Sequence, residues 1–556
     1  MTNFLSAGAL LARGPDGLTL AVERALWHLG FSDVRVIDGA NDHGADILAV
    51  RQREQWVVQC KWSSRGPVDR SGVDDIERAR TRYGADQAVI ATNTSLNRPA
   101  RDRLDALAGV GLNTFVWHGA TLSKIWSQMP DQVPRKYKLR PYQEEAASAI
   151  ERDLERSGRA LLILATGLGK TVVSGEIIHR YLEKKRDAQV LVVAHMKELV
   201  DQLEKALWGH LNKATVTQTL HSDSRLSATL PLPGITIATI DSALTATKLG
   251  YAPDLIMIDE THHVGEFGMF SDLLDRCSGA PQFGVTATPW RGDKFDISDR
   301  FGPPSYTLGI AEGMTEGYLT KIDYRMFVDN LDWDFVRLAS EHGYSIGELN
   351  RALFLPQRDD QIIDELRTAW QQTSNPRAIL FCQTIDHAER IAQLLRTSDP
   401  AWQNAAFLHS GLTRQKRQIL LNAFRMGRVP IITCVDVFNE GVDVPDVNLI
   451  GFLRVTHSRR IFVQQLGRGL RLREGKDSLK VLDFVTDIRR VAATLNLKRA
   501  LGTLRQEELE LPQGSSITFN DSTAGSLLDY WIKDAASLET AADEVRLNFP
   551  SPIGLD

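Results

Sequence analysis

The sequence predicts an α/β protein in which a smaller α/β unit is followed by two tandem doubly wound domains built on mainly parallel sheets. Three observations carry this. From residue 139 onward, short apolar runs at 160–164, 190–194, 235–239, 255–258 and 283–286 alternate with helical stretches, the pattern of buried parallel strands joined by crossover helices. A second series follows at 378–381, 431–434, 447–452 and 480–484. A separate alternation occupies residues 17–126, and a chain of 556 residues, 43% hydrophobic and 24% charged, has the length and composition of several globular domains.

Within the first unit, residues 18–29 read as an amphipathic helix stopped by Gly30, and residues 46–50 and 55–61 as a strand pair around a polar turn at 51–54. A helix at 73–83, an apolar strand at 87–92, a helix at 98–108 and a strand at 114–117 complete it. The expected boundaries are 1–128 for this unit, 129–138 for a proline-containing linker, 139–308 for the first doubly wound domain and 361–505 for the second. Residues 309–360, rich in charges and aromatics, read as a connector or insertion. Residues 506–556 hold ten acidic side chains against Lys533 and Arg546, and read as a partly helical, solvated tail.

Charge decides little: 65 basic against 70 acidic residues neither demands nor excludes a nucleic-acid partner, because binding needs a local basic surface. Four cysteines, Cys60, Cys277, Cys382 and Cys434, form no CxxC pair, which argues against a zinc ribbon and a disulfide framework. No apolar run approaches the roughly 18 residues of a membrane helix. The first residues lack the basic region of a secretory signal, so the expected compartment is the cytoplasm, with no membrane partner.

The chemistry starts at Ala165-Thr166-Gly167-Leu168-Gly169-Lys170-Thr171, between an apolar strand and a helix. Free backbone N–H groups, a lysine for β/γ-phosphates and a hydroxyl for Mg2+ are what a triphosphate requires, although Leu164 stands where the generic loop has its first glycine. The run at 255–258 delivers Asp259-Glu260-Thr261-His262. Asp259 is expected to hold the Mg2+ water shell, as Thr171 does, and Glu260 to orient and deprotonate the attacking water. In Gln464-Gln465-Leu466-Gly467-Arg468-Gly469-Leu470-Arg471, Arg468 and Arg471 lie three apart and would share a helix face, as arginine fingers or as a solvated basic surface.

Taken in order, these segments resemble the superfamily 2 helicases and translocases. Leu139-Arg140-Pro141-Tyr142-Gln143 resembles the Q motif, Ala194-His195 through Gln202 motif Ia, Thr239-Ile240-Asp241-Ser242 motif Ib, DETH motif II and Thr286-Ala287-Thr288-Pro289 motif III. Ile379-Leu380-Phe381-Cys382 is similar to motif IV, Asn439-Glu440-Gly441-Val442-Asp443-Val444-Pro445 to motif V, and QxxGRxxR to motif VI. The resemblance implies two RecA-like domains with ATP in the cleft between them and nucleic acid across both. It puts Gln143 and Arg140 at the adenine, Thr166, Gly167, Gly169, Lys170 and Thr171 at the phosphates, and Gly441 and Asp443 at the nucleotide from the second domain. Gln464, Arg468 and Arg471 join the hydrolytic site, His262 couples it to the nucleic-acid side, and Lys197, Thr239 and Asn439 contact a strand backbone. DETH and QxxGRGLR look more like the DNA-acting group, with restriction translocase subunits and a repair helicase, than like DEAD-box RNA helicases.

In the first unit, Asp46 opens one strand while Gln59 and Lys61, two apart, share a face of the next. A carboxylate, a carbonyl and a lysine suit Mg2+-dependent phosphodiester cleavage, with Glu23 as a second acidic ligand; a surface hairpin with a salt-bridging lysine shows the same pattern. Around these residues, His43-Gly44-Ala45-Asp46-Ile47, Val58-Gln59-Cys60-Lys61 and Ala88-Val89-Ile90-Ala91-Thr92 resemble the Mrr-like branch of the PD-(D/E)xK nucleases, implying a restriction-endonuclease-like domain in which glutamine is an accepted substitute for the acid. Trp56 and Trp62 flank the site, as base-stacking or core residues. The expected function is an ATP- and Mg2+-dependent DNA helicase or translocase coupled to endonuclease cleavage of duplex or single-stranded DNA in restriction or anti-phage defence, with defence proteins encoded elsewhere as partners. A repair helicase with a non-cleaving DNA-binding domain and an RNA-remodelling ATPase are the alternatives.

Overall fold

The computed structural model describes residues 3–37, 44–64, 66–134, 138–221, 233–287, 295–327, 359–382, 384–409, 411–412, 414–425, 427–435, 447–453, 472, 478–484 and 516–519. The chain forms two compact units, one of Met1–Glu151, Thr171–Met257 and Leu273–Pro281, the other of Arg152–Lys170, Ile258–Asp272 and Gln282–Asp556.

The first unit opens with helix α1 (Ala7–His28), capped by the Ser6 hydroxyl and broken at Gly14, whose φ of 67° precedes Pro15. The expected helix at 18–29 is its second half. A five-stranded sheet follows in sequential order, β1 (Ser32–Val36), β2 (Ile47–Arg51), β3 (Glu54–Lys61), β4 (Gln87–Thr92) and β5 (Thr114–Trp117). The first three strands are antiparallel and the last two are parallel to β3. The β2–β3 turn is closed by Gln52 and Arg53, both left-handed (φ 52° and 71°), the twist a two-residue hairpin needs without the usual Asn-Gly. Helices α2 (Arg70–Tyr83) and α3 (Arg98–Ala108) start at side-chain caps, Asp69 and Asn97, and α4 (Gly119–Gln128) follows β5. Alternation along β3 sends Val58 into the core beneath α1, with Leu18, Val22 and Leu26, and Val57 into the core beneath α2, with Val73 and Ile76.

Helix α5 (Pro141–Ser157) leads into the motif-bearing sheet, whose strands are β6 (Arg159–Leu164), β7 (Gln189–Ala194), β8 (Thr217–Leu220), β9 (Gly234–Thr239), β10 (Leu255–Asp259), β11 (Gln282–Thr286) and β12 (Tyr306–Leu308), in spatial order β12-β6-β11-β10-β7-β9-β8. Its helices are α6 (Lys170–Lys184), α7 (Lys197–Trp208), α8 (Ile240–Lys248), α9 (Met269–Arg276), α10 (Ser298–Phe301) and α11 (Ile310–Thr315). Strands β6, β7, β9, β10 and β11 run as buried apolar stretches, as a sheet covered on both faces requires.

The second unit also holds the other sheet: β13 (Lys321–Phe327), α12 (Asp359–Gln371), β14 (Ala378–Cys382), α13 (Ile385–Ser398), β15 (Ala406–Leu408), α14 (Arg414–Arg425), β16 (Ile431–Cys434), β17 (Leu449–Leu453), β18 (Ser478–Phe484) and β19 (Ser516–Phe519), ordered β15-β16-β14-β17-β18-β13-β19. Two expectations are corrected here. Residues 321–327, expected in a connector, pair in parallel with β18, and the buried Lys480 ammonium meets Asp323 at 3.1 Å across that pair. Residues 516–519, expected in a solvated tail, form an antiparallel edge strand on β13, because their Ser-Ile-Thr-Phe alternation fits a half-buried strand.

Candidate active sites

A parallel sheet presents its chemistry at the carboxyl ends of its strands. In the second unit, β6 ends in Ala165–Gly169, where Gly167 and Gly169 take φ of 96° and 82°, conformations closed to other residues without strain. The turn delivers Lys170 to the first position of α6. Strand β11 lies between β6 and β10, and β10 ends at Asp259; the next residue, Glu260, is itself left-handed (φ 48°), a strained backbone for a non-glycine residue. That turn brings Glu260 Oε1 within 2.9 Å of the Lys170 ammonium. Burial pushes the Glu260 carboxyl up, but the Lys170 charge and His262 outweigh it and hold the group well below the usual carboxylate range.

His262 is buried. Its Nδ1 lies 3.3 Å from Glu260 Oε2 and 3.1 Å from the Thr286 hydroxyl at the end of β11. Thr261 donates to the Val285 carbonyl at 2.9 Å, and it fits only because residue 284 is glycine: a Cβ there would sit 2.6 Å from Thr261 Cγ2. DETH is thus tied to the end of β11, through Thr261 to Val285 and through His262 to Thr286. Thr286 was not among the expected site residues, although it opens the Thr286-Ala287-Thr288-Pro289 stretch that resembles motif III.

In the first unit, Gln143 is buried in the first turn of α5, accepting from the Arg140 N–H at 3.0 Å and donating to the Tyr142 hydroxyl at 3.3 Å. Helix α5 is fastened to α6 by Arg180, which reaches Glu144 at 2.6 Å, Glu151 at 3.0 Å and Glu176 at 3.0 Å. Thr171, in the first turn of α6, and Lys197, the first residue of α7, are half-buried. Thr239 ends β9 and donates to Ser242 at 3.1 Å. Gln464, Arg468, Arg471, Gly441, Asp443 and Asn439, with His43, Thr288 and Pro289, lie outside the described residues.

The N-terminal strands set Asp46 beside Gln59, with Lys61 two residues further along β3. Register pairs Ile47 with Val58, so Asp46 falls beside Gln59; its N–H donates to the Val58 carbonyl at 2.9 Å and its carboxylate accepts from the Cys60 N–H. Gln59 is buried at 2% exposure with its amide oxygen unpartnered, a donor of the hard, uncharged kind that Mg2+ accepts beside a carboxylate. Asp46 and Gln59 therefore fit a divalent cation in type, although among the described residues no three His, Cys, Asp or Glu side chains converge. Lys61 does not stand alone: its ammonium meets Asp75 of α2 at 2.8 Å, the salt bridge that the alternative reading of this hairpin expects, with a partner the sequence did not name. Trp56 stacks on Phe115 at 5.3 Å and Trp56 and Trp62 both pack against the α1 core.

Glu23 is a correction. It is buried at 2% exposure, and the partner the fold gives it is Lys205 of α7, 3.0 Å away. Burial raises its pKa and Lys205 opposes the rise. Arg24 beside it donates to the carbonyls of Asn212 (3.2 Å) and Thr215 (2.9 Å), while Lys213 donates to those of Trp126 (3.1 Å) and Met129 (2.8 Å). The α1 pair Glu23–Arg24 therefore seats the N-terminal sheet against α7 and residues 212–215.

Residues 11–125 match the Mrr-type restriction endonuclease family, residues 136–291 the type III restriction enzyme res subunit, and residues 357–473 the helicase conserved C-terminal domain. The chain joins an Mrr-type restriction endonuclease domain to a superfamily 2 helicase core. The chain is 28% identical over 404 residues to the type I restriction enzyme EcoAI endonuclease subunit of Escherichia coli, covering 66% of its own length and 49% of that protein. It is 26% identical over 405 residues to irc3 of Schizosaccharomyces pombe, a mitochondrial ATP-dependent helicase by its description, covering 69% of itself and 64% of irc3. The chain thus spans about half to two thirds of these relatives. In fold it is similar to the DNA-bound ATP-dependent type ISP restriction-modification enzyme LlaBIII, with a TM-score of 0.50 and 16% identity over 95% of this chain and 42% of the other. Among the described residues no helix is long and apolar enough to cross a membrane.

Proposed function

We propose that this nuclease–helicase chain is an ATP-driven DNA translocase or helicase that presents DNA to its own Mg2+-dependent endonuclease domain, in restriction or anti-phage defence. The observation that carries the reading is the linked set Lys170–Glu260–His262–Thr286, and it is supported by Asp46 immediately before β2, with Gln59 and Lys61 two residues apart on β3.

In hydrolysis, Lys170 leaves Glu260 for the β/γ-phosphates, and the carboxylate, relieved of the lysine charge that holds its pKa down, takes a proton from the attacking water. Thr171 and Asp259 would hold Mg2+, which would neutralise phosphate charge when bound. Arg468 and Arg471, with Gln464, supply positive charge from the second helicase domain, Gly441 and Asp443 add nucleotide contacts there, and Gln143 with Arg140 reads the adenine. His262 and Thr286 relay the state of Glu260 toward the strand held by Lys197, Thr239 and Asn439. In cleavage, Asp46 and Gln59 would hold the second Mg2+, and Lys61 would neutralise the oxygens on phosphorus as water attacks.

A second reading is favoured by Gln59, which leaves the metal site one charge poorer, and by the likeness to irc3: a repair helicase whose N-terminal domain binds DNA without cutting. The deciding experiment is Mg2+-dependent cleavage of plain and modified duplex DNA, with and without ATP, by wild type, Lys61→Ala and Lys170→Ala. Cutting that is lost in both variants supports the coupled nuclease. DNA-stimulated ATP hydrolysis with no cutting by any protein supports the second reading.

A further inference from the structure

Resting on the nuclease reading, we propose that Asp75 is the positioning residue of the cutting lysine, its carboxylate on α2 fixing the Lys61 ammonium in place for a scissile phosphate. Lys61 Nζ donates to Asp75 Oδ2 at 2.8 Å, and Arg78, one helical turn further on, donates to Oδ1. With both oxygens engaged, the carboxylate has one orientation to offer.

The approach of α2 to this lysine depends on two glycines. Gly44, two residues before Asp46, has φ 88°, and a Cβ on it would lie 2.8 Å from Asp75 Cβ and 2.9 Å from the Asp75 carbonyl oxygen. Gly72 lies beneath the lysine stem: a Cβ there would be 2.8 Å from Val68 Cγ1 and 3.6 Å from Lys61 Cε. A chance surface ion pair has no such steric provision. Asp75 also lines an open cleft of about 790 Å³ with Asp74, Glu77, Arg78, Arg82 and Arg103, a cleft whose lining does not include Lys61.

A lysine's four-carbon stem is flexible, and its charge stabilises a transition state only if it waits in place. As the water oxygen bonds to phosphorus and the ester P–O bond breaks, negative charge gathers on the non-bridging oxygens, and the departing ester oxygen takes a proton from solvent. An ammonium held at fixed distance meets that charge without reorganising. Burial pushes the Asp75 carboxyl up, but Lys61 and Arg78 outweigh it and hold it below the usual carboxylate range, so the anchor stays ionised at neutral pH.

The test uses the full chain with Mg2+, ATP and duplex DNA, comparing wild type with Asp75→Asn, Asp75→Glu and Arg78→Ala. Asp75→Asn should lower the kcat of cleavage roughly 10- to 100-fold, the scale of a misplaced catalytic group, with KM for DNA, ATP hydrolysis and the melting midpoint unchanged. Asp75→Glu should recover part of the loss, and Arg78→Ala should lose less than Asp75→Asn. A readout independent of catalysis is the rate of reductive methylation of Lys61 by mass spectrometry, which should rise in Asp75→Asn. Cleavage and labelling by Asp75→Asn equal to wild type would overturn the inference alone, as would loss of cutting explained by weaker DNA binding. A wild type that cuts no DNA under any condition would remove the nuclease reading and this inference with it.

Discussion

Glu23 of α1 and Lys205 of α7 meet at 3.0 Å across 182 residues of chain, and the carboxylate is almost wholly buried at the contact. Removing one partner of a buried pair leaves an uncompensated charge, which costs more than the pair contributes. Lys205→Met should therefore destabilise the N-terminal domain by roughly 3 kcal/mol at pH 7. The sign with pH is set by Glu23, whose folded pKa is raised: its burial costs nothing while it is protonated, and the cost grows as pH rises above the ordinary carboxylate value. The deficit of Lys205→Met against wild type, read by urea denaturation, should be smaller at pH 5 than at pH 7. An equal deficit at both would mean that Glu23 is not the charge left behind.

Lys170→Ala should abolish ATP hydrolysis; normal turnover in it would overturn the assignment of the phosphate loop. Glu260→Gln should keep nucleotide binding while lowering turnover by about 10²-fold or more, the usual worth of a general base. Arg468→Ala and Arg471→Ala should likewise lower hydrolysis far more than nucleotide binding, and equal loss of both would argue against arginine fingers.

Thr286→Val keeps the shape of β11 and deletes the hydroxyl that meets His262 at 3.1 Å. Its expected effect is on coupling: basal ATP hydrolysis close to wild type, with stimulation by DNA reduced several-fold, in line with one lost hydrogen bond of about 1 kcal/mol. Stimulation as strong as in wild type would exclude Thr286 from the relay.

His28, at the end of α1, is buried with Nδ1 3.2 Å from the Pro130 carbonyl oxygen, and burial first, then the Arg24 charge, push its pKa down to about 4. The unfolded chain therefore takes up the proton before the folded one. Stability should fall as pH drops below about 6.5 and level off near 4, and His28→Phe should flatten that part of the denaturation profile. An unchanged slope in the variant would place the acid sensitivity elsewhere.

What the sequence made legible is what local chemistry determines. Glycines that must turn a strand into a helix, Lys170 and Glu260 at strand ends, and the Gln59-x-Lys61 alternation all declare themselves within a few residues. Glu23 was legible as a functional-looking acid but not as a docking group, because its partner is fixed only by tertiary packing. Asp75 was hidden by the same logic: on a helix dense in Asp and Arg, nothing local separates the carboxylate that meets Lys61 from those that meet solvent. Strand β1 escaped because Val34 is the one buried residue of Ser32–Val36, so the segment lacks the apolar run of a core strand. Residues 516–519 were masked by the acidic composition around them.

The way α1 is seated has a consequence for reach. A cutter hung on loose chain visits a volume set by polymer statistics, and lengthening the chain changes how often it meets its target. Here the Met129 carbonyl is bound by Lys213, Gln132 bridges to Asn212, and Arg24 grips two carbonyls of the same segment. Lys205 lies eight residues, about 12 Å of helix, beyond Lys197 at the start of α7. Any strand gripped at Lys197 would thus be held at a set offset from the N-terminal sheet, so the protein carries a caliper rather than a leash. Adding glycine and serine after residue 133 would leave that gauge unaltered, whereas unseating Arg24 would turn it into free play.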